Sequence, residues 1–235
     1  MKKVLGCIRK CDDRFGLIAE DDSICVGLSG GKDSLALVKA LGLYRLFSKK
    51  SFSLHAVTVD LGFGSDFSAL ARFCESCGVP FTTVPTQIGP LVFETRQEKN
   101  PCALCANMRR GALNTAAVKL GCNKVALGHN REDALETLLL SWIYESRLHV
   151  FQPKTYLSRQ NITVIRPLTL CPEKELVHLA RKENFPVMPP CCPAAGATKR
   201  EDMRQLLRQL EKNAPGAVDR MTGALLNPER TRLWD

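Results

Sequence analysis

Three stretches of this 235-residue chain place reactive residue types at spacings that chemistry could use. The first is Ser29-Gly30-Gly31-Lys32-Asp33-Ser34. An apolar run from Ser23 to Leu28 leads into it, and an amphipathic run from Asp33 to Phe47 leads out. Two glycines let backbone N–H groups converge on an anion, and a helix start adds its positive end. Ser29 and Ser34 can donate hydroxyl hydrogen bonds, and Lys32 lies within the loop. The pattern would grip phosphate, but it is not the Walker type, because G-x-x-x-x-G-K-[ST] is absent. The second stretch is Gly128-His129-Asn130-Arg131-Glu132-Asp133, followed by Glu136-Thr137. It too runs from a strand end into a helix, where an acid such as Asp133 favours the helix dipole. The third is Cys102 and Cys105, with Arg109 and Arg110 just beyond. Two cysteines so spaced at a helix start can chelate one metal or cluster, and equally can form a redox pair or a persulfide relay.

These groups need elements to hold them, and the chain reads as alternating strands and helices. Strands are expected at 23–28, 52–60, 81–84, 124–127 and 162–165. Helices are expected at 2–15, 33–47, 66–77, 104–120, 132–144, 172–183 and 199–212. Gly78 and Gly121 stand where helices would close. Strands separated by helices imply an α/β fold with a parallel sheet covered on both faces. A basic helix precedes it and a short helical segment follows. The domain reading is an N-terminal segment at 1–22, a core domain at 23–190, and a cysteine loop with a helical tail at 191–235. Within that boundary region, 185–198 is uncharged and carries four prolines and the adjacent Cys191 and Cys192, which reads as a constrained loop.

Composition limits the partners. Hydrophobic residues make up 45% and charged residues 24%, the balance of an ordinary globular protein. No uncharged apolar run approaches the roughly 18 residues of a membrane span. Arg9, Lys10, Asp12 and Asp13 end the short apolar start, so export is not expected and a cytoplasmic location is. The net charge of +9 favours a polyanionic partner. Eleven cysteines in a reducing compartment point to metal, cluster or sulfur chemistry. Cys7 with Cys11, and Cys74 with Cys77, read mostly as core packing, and Cys25, Cys122 and Cys171 as single buried or element-end residues.

Ser-Gly-Gly-Lys-Asp-Ser resembles the pyrophosphate-loop motif of the adenine-nucleotide alpha-hydrolase superfamily. Its members cleave ATP between the α and β phosphates, adenylate a carbonyl oxygen and release pyrophosphate. The 128–137 block is similar to the GHNxDDxxET segment of tRNA-thiolating members, with Glu132 in place of the first Asp. Pro101-Cys102-Ala103-Leu104-Cys105 with Arg109-Arg110-Gly111 resembles the PCxLCxxxRRGxL segment of the tRNA 2-thiocytidine synthetase family, the TtcA-like proteins. Gly78 to Phe81, Arg166-Pro167-Leu168, Phe185-Pro186 and the closing segment from Pro215-Gly216 onward fit in order. The resemblance implies a Rossmann-like, HUP-type fold and thiolation of a pyrimidine, most simply a cytidine of the anticodon loop. It implies ATP bound by Ser29, Gly30, Gly31, Lys32, Asp33, Ser34, Gly128 and His129. Asp33 and Asp133 would be catalytic, and Asp133 would help to hold Mg²⁺. Asp60, at a strand end, lies where a nucleoside could be contacted. A [4Fe–4S] cluster on Cys102, Cys105 and Cys191, with Cys192 as the alternative third ligand, is implied too.

Zinc with a fourth ligand stays open as the inorganic alternative. Lys2, Lys3, Arg9, Lys10, Arg109 and Arg110 would meet tRNA phosphates in a sequence-independent way. A cysteine desulfurase or free sulfide would provide sulfur, and a homodimer is compatible with the chain. Two rival functions remain at this level. One is the same chemistry on a small molecule; the other is a zinc-stabilised nucleotide- or RNA-binding module without turnover.

Overall fold

The computed structural model describes residues 1–95, 101–189 and 199–230. Strand β1 (Asp22–Gly27) is its hub, buried along nearly its whole length, as expected for an apolar run in a parallel sheet. It pairs in parallel with β2 (Phe52–Asp60) on one side and β4 (Lys124–Ala126) on the other. β3 (Phe81–Pro85) adds outside β2, and β6 (Ile162–Ile165) adds outside β4. The full order is β3-β2-β1-β4-β6-β5. β5 (Lys154–Leu157) runs antiparallel to β6, so the expected parallel sheet gains one reversed edge strand. It is half-exposed along its length, which leaves no hydrophobic signal in the sequence.

The chain winds outward from β1 through α2 (Lys32–Phe47) and α3 (Ser68–Ser76) to β3. A single turn, α4 (Ile88–Pro90), and a π-helical turn, Leu91–Thr95, then lead to α5 (Pro101–Lys119). α5 returns the chain to β4, across β1, so strand order reverses between β1 and β4. Ligands of open α/β sheets bind outside the strand C-termini at such a reversal.

Alternation along the strands sorts the two faces. Ile24, Val26, Leu54 and Ala56 pack under α1 (Lys2–Phe15), α2 and α7 (Glu173–Lys182). Cys25, Val57, Val125 and Val164 face α5 instead, through Leu113, Ala116 and Ala117. α1 contributes Val4, Ile8 and Cys11 to the first face, matching the expected helical spacing. Its buried Asp12 is fully committed, accepting from the Ile18 N–H at 2.9 Å, the Tyr44 hydroxyl at 3.1 Å and Lys50 at 2.8 Å. Paired in this way, the buried carboxylate fixes α1 against α2 at no unsatisfied-charge cost.

α6 (Arg131–Glu145), α8 (Lys199–Asn213) and α9 (Ala217–Leu226) form a smaller cluster through Leu135, Leu139, Met203, Leu207 and Val218. α9 supplies a helix within the tail that was expected to be helical. Among the described residues, no helix is long and apolar enough to cross a membrane.

Candidate active site

A cavity of about 360 Å³ opens at the C-terminal ends of β1, β2 and β4. Its floor is Gly27, Leu28, Val57 and Val59, and its roof is Ala106, Arg109, Arg110 and Leu113 of α5. The phosphate-type loop lines it with Ser29, Gly31, Asp33 and Ser34, and Leu127, Gly128 and His129 line it alongside. The two expected loops therefore meet in one site. Glycine at 128 lets the two loops pack closely, since a Cβ there would lie 3.1 Å from the backbone of Asp33 and Ser34.

The loop after β1 is held from within. Thr58 Oγ1 donates to the Leu28 carbonyl at 2.7 Å, and Ser34 Oγ donates to the Gly31 carbonyl at 2.9 Å. Ser34 Oγ also accepts from the Ser29 N–H at 3.2 Å. Gly30 has φ +80°, and its carbonyl accepts from the Met188 N–H at 3.0 Å. α2 begins at Gly31 with no side-chain cap, so its first N–H groups remain available to an anion.

The charges beside the loop are closely coupled. Lys32 Nζ lies 3.0 Å from Asp33 Oδ2 and 2.8 Å from Glu173 Oε1. Burial pulls the Lys32 ammonium pKa down, but these two carboxylates outweigh it and raise it. Asp33 Oδ1 is buried without a hydrogen-bond partner. Burial pushes the Asp33 carboxyl up, Lys32 opposes this, and Asp133 and Glu173 add to it. An orphaned buried carboxylate oxygen beside a second carboxylate suits an oxygen-seeking cation.

Asp133 sits in the first turn of α6 and closes a capping box. Its Oδ2 accepts from the Asn130 N–H at 2.9 Å, and Asn130 Oδ1 accepts from the Asp133 N–H at 3.1 Å. Its Oδ1 faces Arg200 at 3.7 Å. Glu132 turns the other way: its Oε2 accepts from the Glu173 N–H at 2.7 Å, and its Oε1 pairs with Arg131 at 2.7 Å. Glu132 thus caps α7 from outside and steadies Glu173 against Lys32.

His129 is half-buried, and its Nδ1 is buried without a hydrogen-bond partner. Burial first, and then Arg166, Arg200 and Arg110, push its pKa down to about 3. The imidazole is therefore neutral at physiological pH.

The remaining expected residues are spread more widely. Asp60 spends its Oδ1 on the Gly62 N–H at 2.9 Å and is not on the cavity wall. Cys102 is exposed and Cys105 buried, both in the first turns of α5. Cys191 and Cys192 lie outside the described residues. Lys2, Lys3, Arg9 and Lys10 are solvated on α1, with Lys3 paired to Glu175 at 2.9 Å. They lie on the sheet face opposite Arg109 and Arg110, and the structure does not join the two groups. Sequence reasoning missed Glu173 and Arg200. Glu173 was hidden among ordinary helix-start acids, and Arg200 in a charged helix. Arg200, with Arg204, is held by the buried Glu136 at 3.2 and 3.0 Å, which docks α8 beside the site.

A family model described as a PP-loop domain matches residues 7–209. The tRNA-cytidine(32) 2-sulfurtransferase of Geobacter sulfurreducens is 36% identical over 238 residues, covering 100% of this chain and 93% of that protein. The protein of that name from Neisseria meningitidis is 37% identical over 240 residues, covering 100% of this chain and 74% of the relative. Among solved structures, the U34-tRNA thiolase NcsA from Methanococcus maripaludis, with its [4Fe–4S] cluster, superposes with a TM-score of 0.78 at 26% identity. That match covers 98% of this chain and 79% of the other. The NH3-dependent NAD synthetase of Campylobacter jejuni shares the fold alone, at a TM-score of 0.52 and 12% identity over 100% and 98% of the two chains. With a phosphate loop at the strand reversal and a CxxC pair on the helix that roofs it, the chain belongs to the PP-loop family and, within it, to the tRNA-cytidine 2-sulfurtransferases.

Proposed function

We propose that this chain is an ATP-dependent tRNA sulfurtransferase that replaces O2 of an anticodon-loop cytidine with sulfur. One observation carries the reading. A single face of α5 runs from Cys102 and Cys105 through Ala106, Arg109 and Arg110 to Leu113, so thiols and nucleotide cavity share one helix. At 1.5 Å rise per residue, Cys105 stands roughly 6 Å and Cys102 roughly 10 Å along the axis from Arg109.

Gly27, Val57, Val59 and Leu113 offer an apolar slot for adenine. The open N–H groups of α2 and Lys32 accept the polyphosphate, and Asp33 with Asp133 would hold Mg²⁺, which would offset its charge. The pyrimidine O2 attacks the α-phosphorus, and pyrophosphate leaves into the Ser29–Ser34 loop. Sulfide then adds to C2, AMP departs with the former O2, and C2 keeps the sulfur. A [4Fe–4S] cluster on Cys102, Cys105 and one of Cys191 or Cys192 would supply that sulfide from the iron without a protein ligand. The cysteine donors fit: Cys102 and Cys105 sit one helical turn apart, and Met188, three residues before Cys191, is fixed on Gly30. The names of the relatives support cytidine in tRNA as substrate, and the thiolase neighbour supports the cluster.

The test is nucleoside mass spectrometry on tRNA from a strain lacking the protein. Loss of 2-thiocytidine, restored by the wild-type chain but not by Asp33→Asn, is expected. An unchanged nucleoside profile overturns the reading.

A further inference from the structure

His129 closes the nucleotide cavity on the β4 side, and Arg166 lies beyond it, outside the cavity wall. The Phe151 ring is 5.0 Å from the imidazole, and the Arg166 guanidinium sits 4.9 Å over the same ring. Arg166 Nη1 donates to the Gln152 carbonyl at 2.7 Å, whereas its Nε is buried without a partner. Arg166 follows the end of β6, two strands from β1. At about 4.8 Å per strand, that is roughly 10 Å from the phosphate loop.

The charge here is one-sided. The charged groups that depress His129 are Arg166, Arg200 and Arg110, all cations. Arg200 has Glu136 and Asp133 as partners. For Arg166, burial and then Arg110 push the pKa down to about 10. Among the described residues neither Arg110 nor Arg166 forms an ion pair with an acid. Arg166 is half-buried with its Nε unpartnered and Arg110 is exposed beside it, so an arriving anion would relieve like-charge crowding at little desolvation cost to Arg110.

We infer that Arg110 and Arg166, gathered around His129 and Phe151, form a second anion site that takes a backbone phosphodiester of the RNA substrate. The inference rests on the reading of this chain as a tRNA sulfurtransferase. ATP is the weaker occupant, because its phosphates already have the Ser29–Ser34 loop and the cavity stops at His129. An arginine fork fits a phosphate with two parallel hydrogen bonds. A base turned out of its stack toward the cavity carries its own backbone past the rim, where this site stands. Arg110 lines the cavity and Arg166 lies outside it, so the pair bridges first and second substrate.

The experiment compares wild type, Arg166→Gln and Arg166→Lys. Binding of unmodified tRNA is measured across a salt series, and ATP binding and thermal melting are measured on the same preparations. For Arg166→Gln the expected result is a loss of tRNA affinity of about tenfold and a fall in the log–log salt slope of about 0.7 to 0.9, one phosphate contact. Arg166→Lys keeps the slope and loses only part of the affinity, because the charge remains and the fork does not; this variant serves if Arg166→Gln does not fold. ATP affinity stays within twofold in both. Weakened ATP binding with unchanged tRNA binding overturns the inference by assigning the site to the nucleotide. Unchanged tRNA affinity and slope in a folded variant overturn it outright while leaving the thiolase reading intact. Wild-type protein with no salt-dependent tRNA binding removes both.

Discussion

At the residue scale, two half-buried ionisable groups at the cavity have opposite consequences. Asp33 keeps one oxygen unpaired beside Asp133, a costly arrangement in a folded chain unless a ligand completes it. Asp33→Asn should therefore fold as well as wild type, judged by its melting temperature, and lose at least about 10²-fold in AMP formation. Equal AMP formation by the variant would remove Asp33 from the chemistry. His129 is the reverse case, a base held neutral. Its folded pKa of about 3 lies below the unfolded value of 6.5, so between those values the unfolded chain binds more protons. Stability from this group is therefore full above pH 6.5 and falls by about 1.4 kcal/mol per pH unit as pH drops toward 3. Asp33 and Glu136, whose carboxyls are raised chiefly by burial, act in the opposite sense, so the comparison must be made against a variant. Urea titrations at pH 7 and pH 5 should show a steeper loss for wild type than for His129→Gln. Parallel losses would mean that the ring is charged in the fold.

At the element scale, the start of α6 carries two jobs on one residue. The capping box satisfies helix-end N–H groups, worth about 1 kcal/mol, while the Asp133 charge faces the site. The two separate by substitution. Asp133→Asn keeps an acceptor for the Asn130 N–H and should leave stability within about 0.5 kcal/mol while turnover collapses. Asn130→Ala should cost about 1 kcal/mol and leave most of the turnover. The same result for both, in melting and in pyrophosphate release, would make Asp133 only a cap. These helix starts were legible in the sequence because local signals wrote them: a glycine loop after a buried strand, an acid in a first helical turn, glycines at helix ends. β1, β2, β6 and the flanking helices were readable for the same reason, since hydrophobic period and punctuation agree. β5 was not, because Lys154 to Leu157 is a short edge strand whose pairing partner, not its pattern, makes it a strand. Nor was the cluster of His129, Phe151 and Arg166. Its members belong to three segments with no shared motif, and only the order of β4, β6 and β5 brings them together. Asp60, expected at a strand end, uses its Oδ1 in its own turn by accepting from the Gly62 N–H.

At the scale of the whole molecule, the proposed cluster would draw its thiolates from two distant parts of the chain. Cys102 and Cys105 are set by α5. The stretch carrying Cys191 and Cys192 is anchored on both sides. Met188 is bonded to Gly30 before it, and α8 is held after it by Arg200 and Arg204 on the buried Glu136. Both anchors tie into the active site itself, to the phosphate loop and to the helix that carries Asp133. Fixed ends and several prolines lower the conformational entropy lost when a third thiolate joins the first two. The other cysteines are differently placed: Cys74 of α3 is fully buried in the core, and Cys77, at the end of the same helix, packs partly buried against it. Burial raises the Cys74 thiol to about 12, so it is a poor thiolate ligand. Protein reconstituted anaerobically with iron and sulfide should therefore be brown and hold four irons per chain, about one [4Fe–4S] cluster. Cys102→Ala and Cys105→Ala should each bleach it, and Cys74→Ala and Cys77→Ala should leave the colour and the iron content unchanged. Cys191→Ala and Cys192→Ala then identify the third ligand, since only one of them should bleach. Chelation of the iron should abolish thiolation but spare ATP binding, because the nucleotide is held by the loop and the sheet ends. Colourless protein with one zinc per chain, or a cluster that survives loss of Cys102 or Cys105, would end the cluster assignment and leave a persulfide route on the same cysteines.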